Sequence, residues 1–164
     1  MRPLVLLAGL AVLSLGGCYT APLNPASVAA TGLADVPAMP VRAAPAVWNH
    51  TDDFKVTGMK FRNETGKSFA SVFTGTKPEF PVIEIVSSTL TAEIKSAGFA
   101  ADYVYAVTIR LTRGGRADEL SATATYRAIG FTGPAKAAKL VTEDAIAQLA
   151  KQVRAIIQRT DNSF

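Results

Sequence analysis

Very few side chains in this chain of 164 residues carry reactive groups. The single histidine, His50, lies close to Asp52 and Asp53 in the sequence, and the single cysteine is Cys18. One imidazole beside two adjacent carboxyl groups is a poor metal site, because transition metals favour preorganised ligands with more nitrogen or sulfur. A Ser-His-acid triad would have to be built on His50, and nothing in the sequence positions it. We therefore predict a solvated domain edge here, with no metal, no cofactor and no catalytic residue.

Glu64-Thr65-Gly66-Lys67-Ser68 ends like a phosphate-binding loop. Such a loop needs a further glycine five residues before Gly66, and that position is Phe61. It also needs a helix whose N-terminal amides point at the phosphates, and we expect no helix after Ser68. The segment is therefore predicted to be a hairpin turn.

Four arginines on one predicted β-hairpin are the best candidates for an anion or partner contact: Arg110, Arg113, Arg116 and Arg127. Arg110 and Arg127 are expected on its polar face, with the other two at its tip. Guanidinium groups can hold phosphate or carboxylate with two hydrogen bonds each. The alternative is that Asp118 and Glu119 simply pair with them, which contributes little on an exposed surface.

The positive charge is concentrated in the C-terminal half of the chain. Residues 95–164 carry ten Lys and Arg against six Asp and Glu, whereas residues 18–94 carry six against seven. This balance favours an anionic surface such as lipopolysaccharide, phospholipid headgroups or peptidoglycan, although a mildly basic solvated surface explains it as well. We expect no nucleic-acid partner, because the polar face of the hairpin lacks interleaved aromatic side chains.

The N-terminus has the pattern of an export signal. Arg2 is followed by an apolar run from Leu4 to Leu15 and then by two glycines. The run is shorter than the roughly 20 helical residues that cross a bilayer, so a secretory signal is favoured over a membrane span.

The end of this signal, Leu15-Gly16-Gly17-Cys18, resembles the lipobox of bacterial lipoproteins. The resemblance implies a signal peptide at 1–17, fatty acylation of Cys18 and firm anchoring, since several acyl chains hold far better than one. Tyr19 stands where lipoproteins retained at the inner membrane have Asp, which implies the outer membrane, facing the periplasm. An acylated sulfur would exclude disulfide, zinc-thiolate and cysteine chemistry. An ordinary signal peptide with an incidental cysteine is the alternative.

Residues 18–46 are predicted to be the lipidated cysteine and a tether. From residue 19 onward this stretch has five prolines and nine alanines, and only Asp35 and Arg42 are charged. Such a segment has little apolar surface to bury and should stay extended or disordered. A single periplasmic domain is placed at 47–164.

The first half of that domain gives mixed signals. Two strands are predicted, at Phe54–Phe61 and Ser68–Phe73. A helix is predicted over 81–97, because Val82, Val86, Leu90 and Ile94 recur at the spacing of one helical face. A strand in its β-branched first turn is the alternative. Glu84 and Glu93 would lie on the polar side of this helix, where solvation explains them without paired-carboxylate catalysis.

The second half is more regular. Alternating runs at 103–111 and 120–128 flank a glycine pair and predict a β-hairpin with one apolar face. An apolar stripe of helical period predicts a final helix over Ala135–Gln158. Together these elements predict an α+β fold: a small, mostly antiparallel sheet in the order ββαββα, with two helices packed on one face.

The lipobox, the tether and this core resemble small outer-membrane lipoproteins of the YajG-like family and, more distantly, LptE-like and LpoB-like proteins. The resemblance is carried by Leu15–Cys18, Ile94–Phe99, the 103–128 hairpin and the final helix, whereas the strand at Ser68–Phe73 departs from it. It implies a non-catalytic assembly or accessory module that docks on an envelope protein or glycolipid. The alternatives are a lipid- or glycan-binding carrier with a cleft between helices and sheet and, third, an envelope hydrolase.

Overall fold

A computed structural model of the chain describes residues 33–95, 100–130 and 132–161. The predicted signal peptide, Cys18 and the first part of the predicted tether lie outside these residues. In chain order the elements are a 3₁₀ turn (Leu33–Asp35), β1 (Arg42–Ala43), α1 (Pro45–Trp48), β2 (Asp52–Val56), β3 (Met59–Asn63), α2 (Thr65–Val72), β4 (Val82–Lys95), β5 (Ala100–Arg113), β6 (Arg116–Ile129) and α3 (Pro134–Asp161).

A four-stranded mixed sheet is the centre of the fold. Its order is β1-β4-β5-β6, in which β1 runs parallel to β4 and the other neighbours are antiparallel. A separate antiparallel pair, β2–β3, packs against β4. Helix α3 lies on β5 and β6, while α2 packs against α1 and α3. The α+β class is therefore confirmed, but the ββαββα order is not, and the sheet predicted to be mostly antiparallel is a mixed one with β1 parallel to β4.

The β5–β6 hairpin is confirmed. Its register is uninterrupted from Ala100↔Ile129 to Arg113↔Arg116, and Gly114 and Gly115 form the turn at φ values of 52° and 79°. A residue with positive φ is strained unless it is glycine, because its Cβ then collides with the backbone. This explains why two glycines form the turn. Along β5, alternate residues from Ala101 to Leu111 are buried, as the alternating sequence predicted.

The helix predicted over 81–97 is wrong, because Val82–Lys95 form the 14-residue strand β4, while residues 96 and 97 lie outside the described residues. A register shift between Ile85 and Ser87 inserts one extra residue, Val86, opposite β5. Such a bulge exchanges the faces of the strand, so core-facing residues are odd-numbered before it and even-numbered after it. The residues on which the helix was predicted therefore share no face, because Leu90 lies on the core side and is buried, whereas Val86 is the bulged residue and is exposed. The β-branched residues of the segment carried the correct signal.

The strand predicted at Ser68–Phe73 is also wrong, because α2 occupies this segment. Its buried residues include Thr65, Phe69 and Val72, which recur at helical spacing, and the rings of Phe69 and Phe73 stack 6.1 Å apart.

The predicted tether ends too late. Met39, Val41 and Ala43 are buried in the core, and β1 belongs to the sheet. The backbone of Gly75 donates to the carbonyl of Val41, so the strand-like segment is held on both sides. Apolar residues between the prolines thus bind this part of the chain to the domain.

Helix α3 confirms the predicted final helix and extends it at both ends, to 28 residues. Its buried stripe includes Ala138, Ala145, Leu149 and Val153 and packs on the core face of the sheet. Two helices were predicted on that face. Helix α3 packs there against β5 and β6, whereas the segment of the other predicted helix forms strand β4. None of the helices in the described residues is long and apolar enough to span a membrane.

Candidate functional site

The outward side of β4, β5 and β6, here called the open face, carries Arg110 and Arg127, whereas Arg113 and Arg116 lie at the hairpin tip on the register of the core side. None of the described helices packs on it, and β2 reaches the sheet from the core side, where Phe54 meets Tyr103 edge-on. Its middle has three rows of small neutral side chains in register: Ser87–Thr108–Ser121, Thr89–Ala106–Thr123 and Thr91–Val104–Thr125. One charged row lies on either side: Glu84–Arg110–Glu119 and Glu93–Asp102–Arg127.

Two of the four arginines are paired across the hairpin. Arg127 binds the carboxylate of Asp102 with both Nε and Nη2, at 2.7 and 2.8 Å. Arg110 donates to Glu119 Oε1 at 2.8 Å. The hydrogen bond from Arg127 holds the pKa of Asp102 below its usual range, and the same carboxylate raises the pKa of Arg127. The alternative of internal pairing thus holds for Arg110 with Glu119, while Arg127 uses Asp102, which the sequence did not single out.

The four arginines do not converge on one point. Arg110 and Asp102, the partner of Arg127, lie eight positions apart on β5, which is about 27 Å along a strand. Arg113 and Arg116 face each other at the tip, where Arg113 Nη1 donates to the carbonyl of Ile156 on α3 at 3.4 Å. The side chain of Arg116 is exposed. The arrangement suits an extended partner that meets both ends of the face better than a single small anion.

Paired-carboxylate catalysis does not fit the open face. Glu84 and Glu93 lie nine residues apart on β4, which corresponds to about 30 Å, whereas carboxyl pairs that cleave glycosides stand within about 10 Å. Glu93 also forms an ion pair with Lys95 at 2.5 Å.

A second group of polar residues lies on the core side of the sheet, so the solvated domain edge predicted for His50, Asp52 and Asp53 is wrong for the buried Asp52 and fits only the exposed Asp53. His50 follows α1, Asp52 begins β2, and Ser88 comes from β4 just after the bulge. Ser88 Oγ donates to Asp52 Oδ1 at 2.6 Å, and His50 Nε2 lies 2.7 Å from Ser88 Oγ. The bulge is what directs Ser88 to this side, so the group joins three segments that are distant in sequence.

The three side chains of a hydrolytic triad are present here, but their geometry is different. In a triad the acid binds one imidazole nitrogen and the serine binds the other. Here His50 Nε2 faces both Ser88 and Asp52, with Asp52 Oδ2 at 3.5 Å. The Ser88 hydroxyl donates its hydrogen bond to Asp52, so its proton does not point at His50. The arrangement fastens the segment after α1 to β4 rather than activating a nucleophile.

Tyr105 on β5 lies next to this polar group in the core. Its side chain is fully buried, and burial raises its pKa, with the nearby Asp52 carboxyl adding to the effect. Among the described residues, Tyr105 Oη and Asp52 Oδ2 have no hydrogen-bond partner. They are therefore the least satisfied polar atoms of this core.

The helix expected to be absent after the phosphate-loop-like segment does exist, since α2 begins at Thr65. Its N-terminus is nevertheless occupied by protein. Gly66 N–H donates to the carbonyl of His50 at 2.9 Å, and a Cβ on Gly66 would lie 2.4 Å from the carbonyl oxygen of Val47. A phosphate has no room there. The glycine is required by the close approach of α1, so the resemblance to a nucleotide loop is incidental.

Neither of two grooves on the surface of the described residues has the size that a lipid carrier needs. Ligand pockets usually measure about 300–1,000 Å³. The larger groove measures about 280 Å³, opens widely to solvent, and lies between the Pro37–Pro40 segment and the C-terminal part of α3. The other measures about 120 Å³ near Val56 and Ile94. The space under the sheet is instead filled by core side chains such as Tyr103 and Leu149.

Two solved structures show distant likeness to the chain. One is a protein from Xanthomonas campestris of family DUF330, at 12% identity and TM-score 0.40, which covers 80% of this chain and 93% of that protein. The other is an uncharacterized protein at 9% identity and TM-score 0.36, which covers 74% of this chain and 90% of that protein. No protein-family model and no curated protein matches the sequence. The YajG-like resemblance is not confirmed by these comparisons.

Proposed function

We propose that the protein is a non-catalytic outer-membrane lipoprotein whose periplasmic domain docks on an envelope partner, a protein or a glycolipid, through the open face. The observation that carries this proposal is that no described helix or further strand packs on the outward side of the three long strands β4, β5 and β6. The lipobox-like Leu15–Cys18 supports the anchoring part of the proposal.

The composition of the open face suits a partner with a broad, flat surface. Its middle rows have short side chains such as Thr89 and Thr123, which lose little conformational entropy when they are covered. The paired charges at either end can exchange partners at the rim, where electrostatic contacts set orientation more than affinity. The carrier alternative is supported less well, because the described cavities are small and open.

Site-specific photo-crosslinking in cells that express the full chain tests this proposal. A photoreactive amino acid at Thr89, on β4 of the open face, should give one discrete adduct with an envelope component. The same amino acid at Ser71, exposed on α2, is the matched control and should give none. Equal adducts at both positions, or none at Thr89, would show that the open face is not the docking surface.

The anchoring part needs its own measurement. Cys18→Ser should abolish incorporation of labelled palmitate and release the protein from the membrane fraction. If the Cys18→Ser protein keeps its label, the acyl chain is attached elsewhere and the lipoprotein assignment is wrong. Either result leaves the crosslinking experiment interpretable, because that experiment reports only on the folded domain.

A further inference from the structure

Strand β6 is a long free edge of the sheet. It pairs with β5 over its whole length of 14 residues, and its other side has no strand among the described residues. Natural edge strands are usually short, bulged, or interrupted by proline, because an unpaired edge is a template for another strand. The pairing of β6 shows no bulge, and the strand contains no proline. Its edge is therefore open to β-strand addition.

The peptide groups that point to this free edge can be identified. Gln152 Nε2 of α3 donates to the carbonyl of Ser121 at 2.9 Å, so this carbonyl points away from β5. The side chains of Thr108 and Ser121 touch, with their hydroxyl oxygens 2.8 Å apart, as expected where an opposed pair shares no backbone hydrogen bonds. Since peptide directions alternate along a strand, the odd-numbered residues of β6 direct their N–H and C=O groups to the edge.

We propose that a second copy of this chain pairs with β6 in antiparallel register, with Thr123 of both copies on the two-fold axis. Only odd residues can hydrogen-bond across this edge, so an odd residue must face an odd residue. Thr123 on the axis places Thr125 opposite Ser121 of the second copy and Arg127 opposite Glu119 of the second copy. Each opposed pair exchanges two hydrogen bonds, roughly ten in total. The two sheets become one continuous sheet.

Charge complementarity selects this register. Arg127 and Glu119 are the charged odd residues of β6 between Ala117 and Ile129, and they lie at equal distances on either side of Thr123. The two-fold symmetry therefore gives two pairs in which Arg127 of one copy faces Glu119 of the other. Most shifted registers leave these charges facing neutral residues. Opposite charges directly across a strand pair are favourable. Each pair would extend the existing contacts of Arg127 with Asp102 and of Glu119 with Arg110 across the interface.

Helix α3 must accommodate the second copy. Its flank beside the edge carries Gln152, with Gln148 one turn earlier, and two such flanks would lie side by side in the dimer. Pairing also requires Gln152 to leave the Ser121 carbonyl, which then accepts from the backbone of the second copy. Gln152 therefore competes with dimer formation and does not support it.

Single cysteines in the full chain test the register. Directly opposed hydrogen-bonded residues have Cα atoms about 5.5 Å apart, within the range that a disulfide spans. Thr123→Cys, oxidised with copper phenanthroline and dioxygen, should give a disulfide-linked homodimer. Thr125→Cys is the matched control on the same exposed side, since its two copies would lie about 15 Å apart, and it should not crosslink with itself. Co-expressed Ser121→Cys and Thr125→Cys chains should crosslink with each other.

The unmodified chain, which keeps Cys18, must remain uncrosslinked under the same conditions. Adding Gln152→Ala to Thr123→Cys should raise the yield of dimer, because it removes the competing hydrogen bond. The proposal is overturned by no dimer at Thr123→Cys, by equal dimer at Thr123→Cys and Thr125→Cys, by an adduct with a different protein only, or by a lower yield with Gln152→Ala. Because Thr89 lies two strands away from this edge, the photo-crosslinking experiment succeeds or fails independently of the dimer.

Discussion

The two sides of β5 show how differently one strand can use polar groups. On the core side, Tyr105 lies beneath Asp52, Ser88 and His50, which hold one another at fixed distances in a buried setting. On the open face, Asp102 and Arg110 form ion pairs with β6 in contact with water. Burial makes the first group costly to disturb, because each atom left without a partner keeps its desolvation penalty. The second group can exchange partners at little cost, which is a property of a docking surface.

The strongest test of this contrast uses one substitution on both sides of the sheet. Ile109→Ala removes a fully buried side chain at the centre of β5 and should lower the free energy of unfolding by about 2–5 kcal/mol. Ile129→Ala makes the same change where the side chain is 56% exposed, and its effect should stay within about 0.5 kcal/mol. Urea unfolding followed by circular dichroism measures both. Similar losses would mean that the open face is covered in solution.

Two neighbouring aspartates on β2, one buried and one exposed, allow the same comparison to be made for polar side chains. Asp52→Ala leaves the Ser88 hydroxyl without the carboxylate that accepts its hydrogen bond in the core, and should cost about 1–3 kcal/mol. Asp53, which is 67% exposed and pairs with Arg62, is the control, and Asp53→Ala should be indistinguishable from the unmodified chain by the same measurement. An equal effect of the two substitutions would show that the polar group around Tyr105 contributes nothing specific.

Sequence reasoning succeeded where burial is regular and local. The β5–β6 hairpin has one apolar face without interruption and a glycine pair at its turn, so alternation alone identified it. It failed at β4 because apolar residues recur every four positions from Val82 to Ile94, and the extra residue at Val86 breaks the alternation that would have indicated a strand. It failed at 33–46 because the few buried residues there are hidden among prolines and alanines.

The candidate sites follow the same rule. The open-face arginines could be placed from the hairpin pattern, since cross-strand neighbours follow from the turn. The group around His50 could not, because Ser88 is 36 residues from Asp52 and reaches the core side only through the bulge. The one available signal was the closeness of His50 and Asp52 in the sequence, which does not identify Ser88 or the register of β4.

The smallest expected effect concerns the ion pair of Asp102 and Arg127 and appears in the pH dependence of stability. Arg127 lowers the pKa of Asp102 in the folded protein, chiefly through its hydrogen bonds. A lowered folded-state pKa stabilises the fold above the unfolded-state pKa of about 3.9, and this stabilisation disappears as the pH falls through the folded-state value. Arg127→Gln should therefore be slightly less stable than the unmodified chain at pH 7, and the two curves should converge as the pH falls from the unfolded-state pKa through the lower folded-state pKa of Asp102.

The Asp102→Asn chain is the control for this measurement. With no carboxyl at position 102, adding Arg127→Gln should change stability by the same small amount at every pH, as measured by urea unfolding across the acid range. A gap between the Arg127→Gln and unmodified chains that persists in acid would show that Arg127 stabilises the fold through packing of its long side chain. In that case the open face would resemble the core side more closely than its exposure suggests, and exchange of partners by Arg127 at an interface would be harder.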